Sequence, residues 1–395
     1  MIMVWKISNY NAYFSRFISK SPILSKNKIV NTPHINFSRV DSAKFFRTLN
    51  KRVNSYFKEN DISRNGNWKL HLKSVVMFSL YLAPYFLLLS LDFPWWAQLL
   101  MAVIMGVGMA GVGMNVMHDA NHGAYSSKKW INKIMGSSMY ILAGNVYNWQ
   151  VQHNVLHHTY TNIHGHDEDL EAGRILRFSQ HSKWYKLHKF QHYYSIFFYG
   201  LLTLNWVLTS DFLQTKRYLA QKLSYGKLPS PVKQWSVLII TKMIYASVWI
   251  VLPILFFNIA WWKILIGFFI MHYVAGLILS IVFQLAHVVE EADMVLPDPS
   301  GTMKNTWAIH QLFTTVNFST KNRIMNWFTG GLNHQVEHHI FPNISHIHYT
   351  KISNIVRNTA REFNLPYNEY KTTRKALIAH FKHLKQMGMN PAITA

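Results

Sequence analysis

Imidazole dominates the chemistry available to this chain. Its 395 residues include 22 histidines and no cysteine. Thiolate metal sites, disulfides and cysteine nucleophiles are therefore excluded, and any metal must be held by nitrogen and oxygen. Eighteen of the histidines fall between His118 and His348, several of them in groups. His118 and His122 in HDANH, and His153 and His157 in HNVLHH, are spaced i, i+4. On a helix each pair shares one face and can reach one ion. His158 points about a quarter-turn away, toward a second ion or the other side of the first. The third group, Gln335-Val336-Glu337-His338-His339, sets an amide three residues ahead of an adjacent pair. Any one pair alone is more often a polar helix face than a ligand set, but three groups and His287 together supply eight imidazoles, enough for two ions. Such ligation suits iron, zinc, copper or nickel. Zinc takes three or four protein ligands, so eight around one centre favour a pair of metals, and for oxygen chemistry that pair is iron. Asp119, Asp167, Asp169, Glu290 and Glu337 are candidates to orient imidazoles through their second nitrogen.

The elements that must position these groups are apolar. Ser74–Leu91 and Trp95–Met117 are uncharged, Ile264–Ala286 likewise, and Trp235–Asn258 is broken only by Lys242. Each approaches the ~20 residues a helix needs to cross a bilayer. The first two, separated by Asp92-Phe93-Pro94, read as one hairpin; the second two, joined around Trp261-Trp262-Lys263, read as another. The expected division is a basic amphipathic N-terminal region over 1–73, hairpins over 74–117 and 235–286, and polar segments over 118–234 and 287–395. The His118–His122 group then starts just past the second span, and His287 sits at the end of the fourth. Two shorter apolar stretches, 134–149 and 193–210, read as interfacial or re-entrant helices, with an extra membrane-spanning pair as the alternative.

The charge balance, 40 Lys+Arg against 17 Asp+Glu for a formal net +23, looks at first like a nucleic-acid signature. By position it is a topology label. All but two basic residues, Lys242 and Lys263, lie outside the spans and on one side of a four-span chain. The positive-inside rule puts that side, with both termini, in the cytosol. A mean hydropathy of +0.02 averages a membrane half and a polar half.

HDANH, QHNVLHH and NHQVEHH resemble the three histidine boxes of membrane fatty acid desaturases. Their surroundings, HDANHGAYS, HHTYTNIHGHDEDLE and GGLNHQVEHHIFPNISHIHY, are similar to the front-end branch. The resemblance covers about residues 37–365. It implies an all-α integral membrane protein whose four transmembrane helices, in two hairpins, lie under a helical cytosolic cap with a di-iron site. It implies His118, His122, His153, His157, His158, His338 and His339 as ligands, a role for His287, and Gln335 within or beside the ligand sphere. His334, His164 and His166 fall outside the motif positions. The implied reaction is O2-dependent insertion of a cis double bond into an acyl-CoA or acyl-lipid, at delta-6 or delta-5. The bacterial inner or plasma membrane is the expected location, with membrane lipids around the chain and no nucleic-acid partner. No HPGG haem motif of a fused cytochrome b5 occurs, so electrons are expected from a separate ferredoxin or cytochrome b5. Trp149, Tyr147 and Trp206 are candidate walls for an acyl channel. Competing readings are a hydroxylase or monooxygenase on the same scaffold, and a non-enzymatic membrane protein that binds metal or tethers nucleic acid.

Overall fold

The structure, a computed structural model, describes residues 35–38, 44–257 and 259–389. Of the N-terminal basic region, residues 1–34 and 39–43 lie outside them. The chain is mostly helical, and the strands among the described residues are two-residue pieces in two parallel pairs. Asn36–Phe37 pairs with Thr302–Met303, and Asn317–Phe318 pairs with Glu369–Tyr370.

A first amphipathic helix, α1 (Phe45–Glu59), buries Phe45, Leu49, Val53 and Phe57 on one face. Among the described residues four helices are long and apolar enough to cross a membrane: α2 (Trp68–Ser90), α3 (Trp95–Asn121), and later Pro231–Phe256 and Trp261–His287. Their apolar character and length make this an integral membrane protein. Of the four, α3 is the most enclosed, and its small residues explain why. A Cβ on Gly108 would lie 2.4 Å from the backbone nitrogen of Tyr81 on α2. One on Gly106 would lie 2.6 Å from the carbonyl of Met271 on the fourth long helix. Only hydrogen fits at these two approaches, so α3 serves as the axis on which its neighbours pack.

Both ends of the predicted spans shift. Helix α2 begins at Trp68, so Lys73 lies in its second turn, buried, rather than in a preceding polar segment. Its Nζ donates to Asn115 Oδ1 at 2.9 Å and meets His346 Nε2 at 2.8 Å, which supplies the partners a buried ammonium needs. Helix α3 does not stop at Met117. It passes through a π-helical stretch, Gly113–Met117, and continues to Asn121, so box one rides on its last turn.

Box two lies on α4, where Val146–Trp149 runs into a π-helical Gln150–His157, continued by His158–Tyr160. The predicted helix over 134–149 is instead Lys129–Gly136, a 3₁₀ stretch Ser137–Leu142 ending at Ala143 with φ +64°, and the start of α4. No single element there is long enough to span. The 193–210 stretch falls in two helices, Lys186–Gly200 and Leu202–Ala220, bent by 60° at the break. The long helices α5 (Pro231–Phe256) and α6 (Trp261–His287) follow. The C-terminal part adds α7 (Trp307–Thr314), α8 (Gln335–Ile340) with box three, α9 (Tyr349–Glu362) and α10 (Thr373–Met389). Helices α1, α7, α8 and α9 share one apolar core built around Leu49, Leu312, Val336 and Ile352.

Candidate metal centre

All eight histidines converge. They are buried except His122, which is partly exposed. One ring atom from each of His118, His122, His153 and His338 falls within 4.8 Å of the others. His157, His287 and His339 form a second group by the same measure, and His158 joins His338 and His339 in a third. His153 Nε2 is 3.3 Å from both His118 Nε2 and His158 Nε2. The π-helical winding of α4 explains why His153 and His158 meet. A π-turn closes at i+5 rather than i+4, so His158 comes back to the face of His153 instead of lying a quarter-turn off.

The outer nitrogens are held from behind. His157 Nδ1 lies 2.9 and 3.0 Å from the two oxygens of Asp167, and His153 Nδ1 is 3.3 Å from Asp169 Oδ2. Asp169 also accepts from Gln152. His339 Nδ1 is 2.9 Å from Gln311 Oε1, which also accepts from Thr161 Oγ1 at 2.9 Å. His338 Nδ1 is 3.3 Å from the Tyr349 hydroxyl. These contacts leave the Nε2 atoms of His157, His338 and His339 buried without a hydrogen-bond partner, as are those of His122 and His287 and the Oε1 of Gln335. Buried polar atoms are rarely left so. Five converging imidazole nitrogens without a protein partner fit a bound metal.

Electrostatics agree. Burial, then repulsion from neighbouring imidazoles, holds His122, His158, His338 and His339 well below the ordinary histidine range. They are neutral near pH 7, with lone pairs free for a cation. Burial also opposes charge on His157, but the Asp167 carboxylate outweighs it and holds that ring above its ordinary value.

Of the five candidate orienting acids, two face box histidines: Asp167 and Asp169. The other three do not. Asp119 turns away, to His346 Nδ1 at 2.9 Å and Ser345 Oγ at 2.7 Å. Glu337 accepts from Asn317 Nδ2 at 2.9 Å and the Tyr367 hydroxyl at 2.8 Å, bracing α8 instead of a ligand. Glu290 is at the surface with Lys382 and Gln386. His334 is buried one residue before Gln335, while His164 and His166 are only partly buried on a loop. Gln311, Tyr349 and the Lys73–His346 contact were not legible: Gln311 and Tyr349 lie 28 and 11 residues from the histidines they meet, and Lys73 lies 273 from His346, with no periodic signal to link them.

A cavity of about 800 Å³ opens beside the histidines. His118, His153 and Gln335 line it with Met114, Met117, Leu142, Leu279 and Phe283, and Glu168, Asp169, Glu171 and Arg217 are among its lining residues too. Trp149 and Trp206 are walls of this cavity, as expected. Tyr147 is not: its hydroxyl donates to the Leu223 carbonyl at 2.8 Å and its ring packs on Tyr218. Lys242, the charge inside α5, anchors the wall. Its Nζ reaches Asp211 Oδ2 at 2.6 Å, the Trp206 carbonyl at 2.7 Å and the Ala143 carbonyl.

A family profile described as fatty acid desaturase matches residues 94–371. Among curated relatives, the sn-1 linoleoyl-lipid 6-desaturase of Arthrospira platensis is 35% identical over 89% of this chain and 94% of its own. The protein of the same description from Synechocystis is 36% identical over 87% and 95%. The acyl-lipid (8-3)-desaturase of Physcomitrium patens is 33% identical over 90% of this chain and 74% of that one.

Proposed function

This chain belongs to the fatty acid desaturase family, and we propose that it is a front-end acyl-lipid desaturase, placing a cis double bond between an existing one and the carboxyl end, at delta-6 or delta-5. The observation that carries the proposal is the set of eight converging imidazoles with orphan nitrogens beside an apolar cavity. The relatives' names supply the acyl-lipid substrate and the front-end position.

In this reading His118, His122, His153 and His338 hold one iron and His157, His287 and His339 the other. His158 lies between the two groups, and Gln335 offers its free oxygen to the same space. An iron pair bound there supplies, with O2, two electrons and two protons, the oxidising power to take one hydrogen from each of two adjacent methylenes, with two waters as by-product. Acid–base groups alone cannot do this, because those hydrogens are not acidic. The chain's residues do the placing. Asp167 and Asp169 hold His157 and His153 in one orientation, with the far nitrogen left to the histidine cluster. Trp149, Trp206, Phe283 and Leu279 confine an acyl chain so that one carbon pair faces the imidazoles. The four long helices form two hairpins under a cytosolic cap that includes the segments 118–234 and 287–395. Both termini are cytosolic, in a bacterial plasma membrane, and a separate ferredoxin or cytochrome b5 delivers the electrons.

The test is fatty-acid profiling of a host that expresses the protein and an electron donor, fed single eighteen- and twenty-carbon substrates. A product two hydrogens lighter, with the new bond on the carboxyl side of an existing one, is expected. A product one oxygen heavier would assign a hydroxylase instead, and no new product from any substrate would refute both.

A further inference from the structure

Among the residues that line the cavity, the exposed ones fall in two segments. One is the loop 165–175, with Glu171 and Ile175. The other is the helix Leu202–Ala220, where Asn205, Thr209, Leu213 and Arg217 are all exposed and all line the cavity. These four stand four residues apart, in one row along one face. At ~1.5 Å per residue the row runs for about 18 Å. Other faces of the same helix are taken: Asp211 meets Lys242, Gln214 donates to Gln152, and the Tyr218 ring packs on Tyr147. The cavity is therefore open along a line in its wall.

The surroundings of the row are apolar. Its helix follows Lys186–Gly200 at a bend of 60°, and together the two pass for a broken membrane span by length and composition. Leu213, within the row, is 66% exposed, and Leu208, beside it, 69%. Ile196 and Phe197 on the preceding helix are exposed as well. Large apolar side chains grouped on a surface belong against lipid rather than water. The polar members of the row are partnered: Thr209 donates to Asn205, and Arg217 to Glu168.

We infer that this row is a slit through which an acyl chain, still esterified to a membrane glycerolipid, slides sideways from the bilayer into the cavity. The inference rests on the proposed function and adds the route by which a lipid-bound substrate reaches the histidines. A chain threaded end-on would leave the bilayer methylene by methylene, each exposed to water at a cost. A slit along its length avoids that exposure, because the head group and the second chain stay in the membrane. An acyl-CoA, which arrives from water, needs no such opening.

The chain has no cysteine, so an introduced thiol carries a nitroxide label alone. Thr209→Cys, Leu213→Cys and, as a water-facing reference on the cap, Lys304→Cys are labelled in full-length protein in phosphatidylglycerol–phosphatidylcholine vesicles. Collisions with O2, which concentrates in lipid, are compared with collisions with a water-soluble nickel chelate. O2 is expected to dominate at 209 and 213 and the chelate at 304. A phospholipid with a diazirine in its acyl chain is expected to cross-link to the helix Leu202–Ala220 in wild type and to lose that cross-link in Thr209→Trp. Filling the entry in Thr209→Trp is expected to lower conversion of lipid-bound chains roughly tenfold or more. Leu208→Trp, exposed one residue away and outside the cavity lining, leaves conversion and cross-link unchanged. Chelate-dominated collisions at both 209 and 213, or an undiminished cross-link in folded Thr209→Trp, would overturn the slit. Absence of any new double bond from wild type, with the labels in lipid and the cross-link intact, overturns the functional reading and not the slit.

Discussion

Asp167→Asn is the most informative single change at the histidine cluster. The Asp167 side chain is 1% exposed and its two oxygens accept from His157 Nδ1 at 2.9 and 3.0 Å. The same oxygens take the backbone N–H of Asn162 at 2.9 Å and of Asp169 at 3.1 Å. An asparagine keeps one acceptor and turns an NH2 toward a backbone donor, so one contact becomes donor against donor. The negative charge that favours Nδ1–H on His157 is lost as well. Removing such a partner behind a metal-binding histidine lowers metal affinity roughly 10–100-fold, or about 1.4–2.7 kcal/mol. One backbone N–H contact is disturbed besides the imidazole, so an effect within that range is expected. The assay is iron per chain by mass spectrometry across a chelator titration, with circular dichroism and gel filtration to verify the fold. The release midpoint should move to 10–100-fold lower chelator, while Glu290→Gln, at a surface acid paired with Lys382, leaves it unchanged. A normal midpoint in folded Asp167→Asn would refute the reasoning.

Breaking the Lys242–Asp211 pair by Lys242→Met leaves a buried carboxylate and two carbonyls unsatisfied and should cost about 3–5 kcal/mol. Adding Asp211→Asn should recover part of it, read as thermal unfolding in detergent; strictly additive losses would show that the two groups are uncoupled. Gly330 has φ +61°, and a Cβ there would stand 2.4 Å from the Met114 carbonyl at the π-stretch of α3. Gly330→Ala is therefore expected to lower both thermal stability and iron content, and a variant as stable as wild type would contradict that close approach. Burial holds His310 and His380 down at about 4 in the folded chain, against ~6.5 unfolded. Below pH 6.5 the unfolded state takes up protons that the folded one refuses, so chelator-treated protein should lose stability as pH falls from 6.5 toward 4 and change little through these groups above 7. His310→Gln with His380→Gln should flatten that slope in a thermal-unfolding series, and an unchanged slope would assign it to other groups.

The spans were legible because uncharged runs of membrane length have few other uses, and the boxes because i, i+4 spacing is a local property of a helix. Cavity walls Trp149 and Trp206 were found by the same logic. What stayed hidden depends on geometry that residue identity does not carry. The π-windings at Gly113–Met117 and Gln150–His157 extend α3 through box one and bring His158 beside His153, yet no residue pattern announces a π-turn. Five acids near the boxes were indistinguishable by sequence, and only Asp167 and Asp169 turn to box histidines, because loop and helix directions decide it. Lys73 read as cytosolic because lysine usually is; the partners that let it be buried, Asn115 and His346, lie 42 and 273 residues away. Tyr147 looked like a channel wall and instead faces Tyr218, since a helix of four residues gives no periodicity from which to choose a face.

In the proposed centre eight imidazoles, with no thiolate among them, hold a pair of irons. Mössbauer spectroscopy of protein grown on iron-57, together with total iron per chain, decides this. The predicted result is two irons per chain, in nitrogen- and oxygen-rich sites that are magnetically coupled when oxidised. A single uncoupled iron, or a stoichiometric complement of zinc with full activity, would contradict it.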